Sequence, residues 1–144
     1  MRTNAIPLAM NETPLLLIID DDPDDIELFQ EAVKEVGSYI NCISAKDGRD
    51  AIDLLNQDGI KLPSAIFLDL NMPRLNGKQC LSEIKKIKKL SHIPVIIYST
   101  TRQRQDEEDL KRMGAMEFLI KPPSFPEICS AVKSILQEVL PARE

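Results

Sequence analysis

The chain of 144 residues contains no tryptophan, one histidine, and three cysteines with no CxxC pair. A single histidine, His92, cannot build a histidine metal site, and an odd number of scattered cysteines argues against a disulfide framework or a thiolate zinc site. The formal net charge is −5, whereas a general nucleic-acid-binding protein shows a basic patch or stripe. We therefore expect no direct binding of nucleic acid.

Long apolar runs are also absent. No run approaches the roughly 20 residues that a membrane-spanning helix needs, and residues 1–13 are too short and too interrupted for a signal peptide. We expect residues 1–13 to form a loose N-terminal extension, residues 14–140 to form one domain and residues 141–144 to form a tail. The expected location is the cytoplasm, with no membrane contact.

Short apolar runs alternate along the chain with segments of helical periodicity. The runs predict strands buried on both faces, since nearly continuous apolar sequence is typical of parallel sheets. The predicted strands are 15–19, 39–44 (a weaker, β-branched candidate), 65–68, 95–98 and 118–120, and the predicted helices are 22–36, 51–55, 80–90, 103–113 and 124–139. This order predicts an α/β fold with a five-stranded parallel sheet and right-handed crossovers.

Polar residues close four of these apolar runs. Asp20, Asp21 and Asp22 follow the first strand, and Asp69, Ser99 and Lys121 follow the third, fourth and fifth strands. Each has an ordinary alternative, such as a helix cap for Asp22 or a solvated loop for Lys121. Because parallel strands end at one edge of the sheet, where ligands of open α/β sheets bind, we expect the residues to form one site.

Carboxylates, a hydroxyl and an ammonium at one site favour phosphoryl chemistry. Crowded carboxylates repel one another unless a cation compensates them, and hard oxygen ligands suit Mg²⁺. A carboxylate can attack phosphorus to give an acyl phosphate, whose oxygens a metal, a lysine and a hydroxyl can then neutralise or hydrogen-bond. The sequence contains neither GxxxxGK[ST] nor GxGxxG, so a P-loop or dinucleotide site is excluded.

Four stretches with these residues carry a family resemblance. They are 16–23 (LLIIDDDP), 67–77 (FLDLNMPRLNG), 93–100 (IPVIIYST) and 114–122 (GAMEFLIKP). Over about residues 14–140 the chain resembles the receiver domain of two-component response regulators, in the stand-alone form of the chemotaxis regulators. The resemblance implies a doubly wound, flavodoxin-like (βα)5 fold with strand order 2-1-3-4-5.

The resemblance also implies roles for the acidic residues. Asp69 is implied to be the phosphoacceptor. Asp21, Asp69 and the backbone carbonyl of Asn71 are implied to bind Mg²⁺ or Mn²⁺ directly, and Asp20 to bind it through water. Asn71 and Thr101 stand where the family tunes hydrolysis of the acyl phosphate.

Further residues are implied to couple phosphorylation to a change in shape. Lys121 is implied to contact Asp69 and its phosphate, and its peptide bond to Pro122 is expected to be cis. Ser99 is implied to be the switch hydroxyl, and Phe118 the aromatic partner that turns into the space behind it.

The function implied is acceptance of a phosphoryl group from a histidine kinase or histidine phosphotransfer protein. Phosphorylation would alter the face formed by the fourth helix, the last strand and the last helix. A downstream protein would dock on this face, or a phosphorylation-dependent homodimer would form through it. No turnover of an external substrate is expected, so the protein would not be an enzyme. Two alternatives stay open: a pseudo-receiver that is never phosphorylated, and a metal-dependent phosphatase acting through an aspartyl phosphate. Against the phosphatase, Asn71 replaces the second acid two residues after Asp69.

Overall fold

The computed structural model describes residues 13–73, 75–100 and 104–140. Strands and helices alternate strictly within these ranges. The elements are β1 (Leu15–Ile19), α1 (Pro23–Val36), β2 (Asn41–Ala45), α2 (Gly48–Leu55), β3 (Ala65–Leu68), α3 (Gly77–Lys86), β4 (Val95–Ser99), α4 (Arg104–Arg112), β5 (Glu117–Ile120) and α5 (Phe125–Val139).

The strands form one parallel sheet in the order β2-β1-β3-β4-β5, which confirms the predicted topology. Strand β1 pairs with β2 on one side and with β3 on the other, so Leu17 lies between Ile43 and Ile66. The order of the strands reverses at β1 and β3, and open α/β sheets bind ligands at the carboxyl ends of such strands.

Apolar side chains form a separate core on each face of the sheet. One core includes Leu55, Leu81 and Leu110 from α2, α3 and α4. The other includes Phe29 from α1 and Val132 from α5. All residues of β1, β3 and β4 are buried because these strands have neighbours on every side, whereas the edge strands β2 and β5 are largely part-exposed.

Side-chain caps set the beginnings of several helices. Asp22 accepts a hydrogen bond from the Asp24 N–H at 2.9 Å, followed by Pro23 at the first position of α1. Asn76 and Gln79 form a reciprocal capping box at the start of α3. These caps place each helix immediately after the loop that leaves the carboxyl end of the preceding strand.

Three helix bounds differ from the sequence prediction by three residues or more. Helix α3 begins at Gly77 rather than at residue 80, because Asn76 caps it. Helix α2 begins at Gly48, because Asp47 caps it by accepting a hydrogen bond from the Asp50 N–H at 2.8 Å. Helix α3 ends at Lys86 rather than at Leu90, because Ile87 leaves the helical conformation with ψ of 116°. Turns then bring Leu90 into the core, which explains why it continued the apolar pattern.

Several predictions fall on residues that the structure does not describe. Residues 1–12 of the predicted extension, the tail 141–144 and Thr101 lie outside the described ranges. Within those ranges, no helix combines the length and the apolar character needed to cross a membrane.

Candidate functional site

Three carboxylates meet at the carboxyl edge of the sheet. Asp20 and Asp21 follow β1, and Asp69 follows the neighbouring strand β3. One oxygen of each carboxylate lies within 4.8 Å of one oxygen of each of the other two. Asp20 and Asp69 are buried, whereas Asp21 is exposed. The cluster is therefore a buried pair of acids with an opening to solvent at Asp21.

The backbone of the sheet fixes these positions. The Asp20 N–H donates to the Ala45 carbonyl at 3.1 Å, and the Asp69 N–H donates to the Ile19 carbonyl at 2.9 Å. Strand pairing thus continues one residue beyond β1 and β3. A Cβ atom on Gly77 would lie 2.7 Å from the Asp69 carbonyl oxygen, so only glycine allows α3 to begin this close to the acid.

The Lys121 ammonium lies among the buried acids. Its Nζ donates to Asp20 Oδ2 at 2.7 Å and to Asp25 Oδ2 at 2.8 Å, while Asp69 Oδ1 is 3.9 Å away. The Lys121 N–H donates to the Ser99 carbonyl at 2.8 Å and anchors the start of the loop after β5. The resemblance implies that Lys121 contacts Asp69. The structure gives the ammonium an ion pair with Asp69 and, in addition, shorter hydrogen bonds to Asp20 and Asp25.

The prediction of a cis bond between Lys121 and Pro122 is wrong for this structure. Every peptide bond of the described residues is trans. The trans form is the ground state of X–Pro bonds by about 0.5–1 kcal/mol. In this structure the ammonium reaches its carboxylates from a trans chain.

The acids of the site carry more negative charge than Lys121 offsets. Burial raises the pKa of Asp69 to about 6; Lys121 opposes this effect, and the charges of Asp20 and Asp21 add to it. Burial also raises the pKa of Asp20 despite its hydrogen bond to Lys121. Burial alone would lower the pKa of Lys121, but its bonds to Asp20 and Asp25 outweigh that effect and raise it.

This donor set fits a small hard divalent cation. Mg²⁺ and Mn²⁺ prefer carboxylate and carbonyl oxygens, and crowded ionised carboxylates need a compensating cation. Asp20, Asp21 and Asp69 offer three oxygens close enough to share one ion. The part played by the Asn71 carbonyl stays a prediction.

The structure places the predicted switch residues Ser99 and Phe118 on the neighbouring strands β4 and β5. Ser99 is fully buried at the end of β4 and is bonded through its carbonyl to Lys121. Phe118 is half-buried on β5, in register with Ile97, and packs against the core formed with α2, α3 and α4. Asn71 is exposed two residues after Asp69. The switching roles of these residues stay predictions.

Sequence reasoning missed two neighbours of Lys121. Asp25 lies in the first turn of α1 and bonds the ammonium directly. The Tyr98 ring centre is 5.7 Å from Lys121 Nζ, and the ring packs with Phe29 and Phe67. A signal for Asp25 was available, because residues 20–31 hold seven acids and no base, which is more than a helix start needs.

Comparisons with known proteins point to one family. The family model of the response regulator receiver domain matches residues 16–133. PilH of Pseudomonas aeruginosa is 31% identical over 121 residues, which are 84% of this chain and 96% of that protein. A probable cyclic di-GMP phosphodiesterase of Vibrio cholerae is 32% identical over 122 residues, which are 85% of this chain and only 26% of that longer protein.

Solved structures show the same fold. The phosphorylated cyanobacterial phytochrome response regulator RcpA has a TM-score of 0.82 at 27% identity, with 92% of this chain and 98% of that chain covered. The Mn²⁺-bound form of response regulator Rcp1 has a TM-score of 0.78 at 27% identity, with 90% and 97% covered. The family match over most of the chain, together with this fold and acidic cluster, shows that the chain belongs to the response regulator receiver domain family.

Proposed function

We propose that this chain is a phosphoacceptor in two-component signalling and that Asp69 receives the phosphoryl group. The observation that carries the proposal is the buried Asp69 carboxylate, which lies with Asp20, Asp21 and Lys121 at the carboxyl edge of a receiver-domain sheet. Asp69 directly follows the central strand β3 and lies beside both Lys121 and the acids that follow β1, Asp20 and Asp21.

The donor would be a phosphohistidine of a histidine kinase or histidine phosphotransfer protein. A carboxylate oxygen of Asp69 attacks phosphorus, the new O–P bond forms, and the N–P bond breaks with its electron pair returning to the imidazole. Hydrolysis later reverses the state of Asp69: water attacks phosphorus, the O–P bond breaks, and inorganic phosphate leaves. The cycle only adds a phosphoryl group to Asp69 and removes it again, so the domain acts as a switch rather than as an enzyme.

A divalent cation, Mg²⁺ or Mn²⁺, fits the proposal. Asp21, Asp69 and the Asn71 carbonyl would hold it directly, and Asp20 would hold it through water. When bound, the cation supplies positive charge against which the anionic donor and the carboxylates can approach each other. Among the solved structures similar to this chain, Rcp1 is a Mn²⁺-bound form.

The output would be a change on the α4-β5-α5 face. The charge added to Asp69 would draw in the Ser99 hydroxyl and the Lys121 ammonium, and Phe118 would turn into the space behind Ser99. Phe118 lies on the edge strand β5, and Met116 just before the strand and Ile120 at its end are already exposed, so rotation of Phe118 would reshape an apolar strip. A downstream protein, or a second phosphorylated copy, would recognise the altered face.

Incubation with acetyl phosphate, with and without Mg²⁺, tests the proposal by intact-protein mass. We expect the gain of one phosphoryl group only when Mg²⁺ is present, and no gain in Asp69→Asn. A phosphorylated kinase or phosphotransfer protein serves as a second donor. Failure with both donors would overturn the proposal in favour of a binding module that is never phosphorylated, and a gain that persists in Asp69→Asn would move the acceptor elsewhere.

A further inference from the structure

The Lys121 ammonium is held by a carboxylate outside the Asp20–Asp21–Asp69 cluster. Two of its three N–H donors are accounted for by Asp20 at 2.7 Å and Asp25 at 2.8 Å. Asp69 lies 3.9 Å away, which is within ion-pair range but beyond hydrogen-bonding distance. The ammonium is therefore displaced toward the α1 side of the site and away from the acceptor.

Asp25 is not needed to cap α1, so its side chain is available to bind Lys121. Asp22 is the N-cap of α1 and satisfies the Asp24 N–H. Asp25 lies one turn later with its side chain about one-third exposed, and its Oδ2 accepts from Lys121 across the gap between α1 and the loop after β5. The contact therefore links two segments of the site that are 96 residues apart in sequence.

We propose that Asp25 is a positioning residue that holds the Lys121 ammonium in the unphosphorylated arrangement and thereby opposes binding of a phosphoryl group at Asp69. The inference rests on the proposed function. For Lys121 to hydrogen-bond a group on Asp69, its Nζ has to approach that side chain, and the bond to Asp25 pulls it the other way. The negative charge of Asp25 also attracts the ammonium and so favours the unphosphorylated arrangement over one in which Lys121 bonds a phosphoryl group.

A purely structural role for Asp25 makes a different prediction. If the bond only fastened α1 to the loop after β5, its loss would lower stability and leave the affinity for a phosphoryl-like anion unchanged. If Asp25 acted only as a nearby negative charge, its effect would not depend on Lys121. Binding measurements in the presence and absence of Lys121 separate these cases.

The test is the affinity for beryllofluoride, a mimic of a phosphoryl group on a carboxylate, at saturating Mg²⁺. Four chains are compared by calorimetry: the unaltered chain, Asp25→Asn, Asp25→Glu and the neighbouring exposed Asp24→Asn. We expect Asp25→Asn to bind about tenfold more tightly, because a neutral amide oxygen holds the ammonium less strongly than a carboxylate does. Asp24→Asn and the charge-preserving Asp25→Glu are expected to match the unaltered chain.

The same comparison in a Lys121→Met background supplies the decisive control. There, Asp25→Asn is expected to have no effect on affinity. Equal affinities of Asp25→Asn and Asp24→Asn, or a gain that persists without Lys121, would overturn the inference. If the unaltered chain binds no beryllofluoride, the proposed function itself fails. If the unaltered chain binds it but Asp25→Asn binds no more tightly, only the inference about Asp25 fails.

A metal-free measurement examines the contact itself. With ¹⁵N-labelled lysine, we expect the Lys121 ammonium resonance to shift in Asp25→Asn and to stay unchanged in Asp24→Asn. Circular dichroism checks that each variant is folded. A resonance that ignores Asp25→Asn would show that the hydrogen bond does not hold the ammonium in solution, and the inference would be overturned.

Discussion

Two lysines of this domain each bind two aspartates, but in different surroundings. Lys121 lies at the edge of the sheet, 10% exposed, with Asp20 and Asp25 at 2.7 and 2.8 Å. Lys78, at the start of α3, is 39% exposed and bridges to Asp106 and Asp109 of α4 at 2.9 and 3.3 Å. Both lysines bond two carboxylates at short distance, but Lys121 is much more deeply buried and also has Asp69 within ion-pair range.

The carboxylates respond in opposite directions. Around Lys121, burial outweighs pairing and raises the pKa values of Asp20 and Asp69. Around Lys78, the hydrogen bond from Gln105, together with those from Lys78, lowers the pKa of Asp109. Exposed charges remain hydrated and screened, so pairing there is a small stabilising effect. One lysine does not balance the buried carboxylates of the site, so a bound cation can relieve their mutual repulsion.

Removal of Lys121 is expected to have the largest effect on stability. In Lys121→Met, Asp20 and Asp69 lose their buried counter-charge, and breaking such a pair costs about 3 kcal/mol. We expect this loss in urea denaturation at pH 7 without divalent cation, and a smaller loss at pH 5, where the raised pKa lets Asp69 take up a proton. If Lys121→Met were as stable as the unaltered chain, the ion pairs of Lys121 would contribute no more to stability than the part-exposed pairs of Lys78.

The Asp69→Asn variant is expected to be more stable than the unaltered chain. The folded-state pKa of about 6 exceeds the ordinary value of 3.8, so the folded chain binds the proton more tightly and loses stability as pH rises through that window. At pH 7, without divalent cation, removing the ionised group is expected to stabilise the domain by about 2 kcal/mol.

The pH dependence distinguishes this cause from a packing effect. The difference in unfolding free energy between Asp69→Asn and the unaltered chain is measured from pH 4.5 to pH 7. It is expected to shrink toward the acid end, because Asp69 is then largely neutral in the folded chain. A difference that stays constant with pH would contradict the assignment of the effect to buried charge.

Addition of Mg²⁺ is expected to stabilise the domain through the carboxylates beside Lys121 and not through those beside Lys78. At ten times the dissociation constant, a ligand that binds only the folded state adds about 1.4 kcal/mol. Thermal unfolding should show this gain in the unaltered chain and in Asp106→Asn. It should be lost in Asp21→Ala far more than in Asp22→Ala, and equal losses would contradict Asp21 as the direct ligand.

The sequence predicted the parallel sheet and the Asp20–Asp21–Asp69 cluster because both follow from local pattern. Continuous apolar runs indicate buried strands, and the acids stand directly where β1 and β3 end, so pairing of the two strands is enough to bring them together. The edge strand β2 was the weakest strand prediction. It exposes Asn41 and Ser44 and so lacks a continuous apolar run.

The contacts of Lys121 could not be predicted in the same way. Whether its ammonium bonds Asp25 or Asp69 depends on how α1 packs beside the loop after β5, which no short-range pattern encodes. An acid in a first helical turn has an ordinary explanation in the helix dipole, and this explanation concealed the contact of Asp25 with Lys121. The isomer of the bond to Pro122 likewise depends on tertiary contacts, and the resemblance alone gave the wrong one.

Removal of Lys78 is expected to have the smallest effect, because its ion pairs are part-exposed and each end stays in contact with solvent without its partner. Urea denaturation of Lys78→Met is compared with that of Lys133→Met, an exposed lysine within α5, to remove the general effect of losing one positive charge. Any small excess loss in Lys78→Met should disappear in about 1 M salt, where the Debye length falls to about 3 Å. The Lys121→Met loss should persist in the same salt, since the acids around Lys121 are shielded from it by burial. If high salt removed the stability losses of Lys78→Met and Lys121→Met equally, burial would not be what distinguishes the two lysines. The carboxylates around Lys121 would then be screened like charges at the surface.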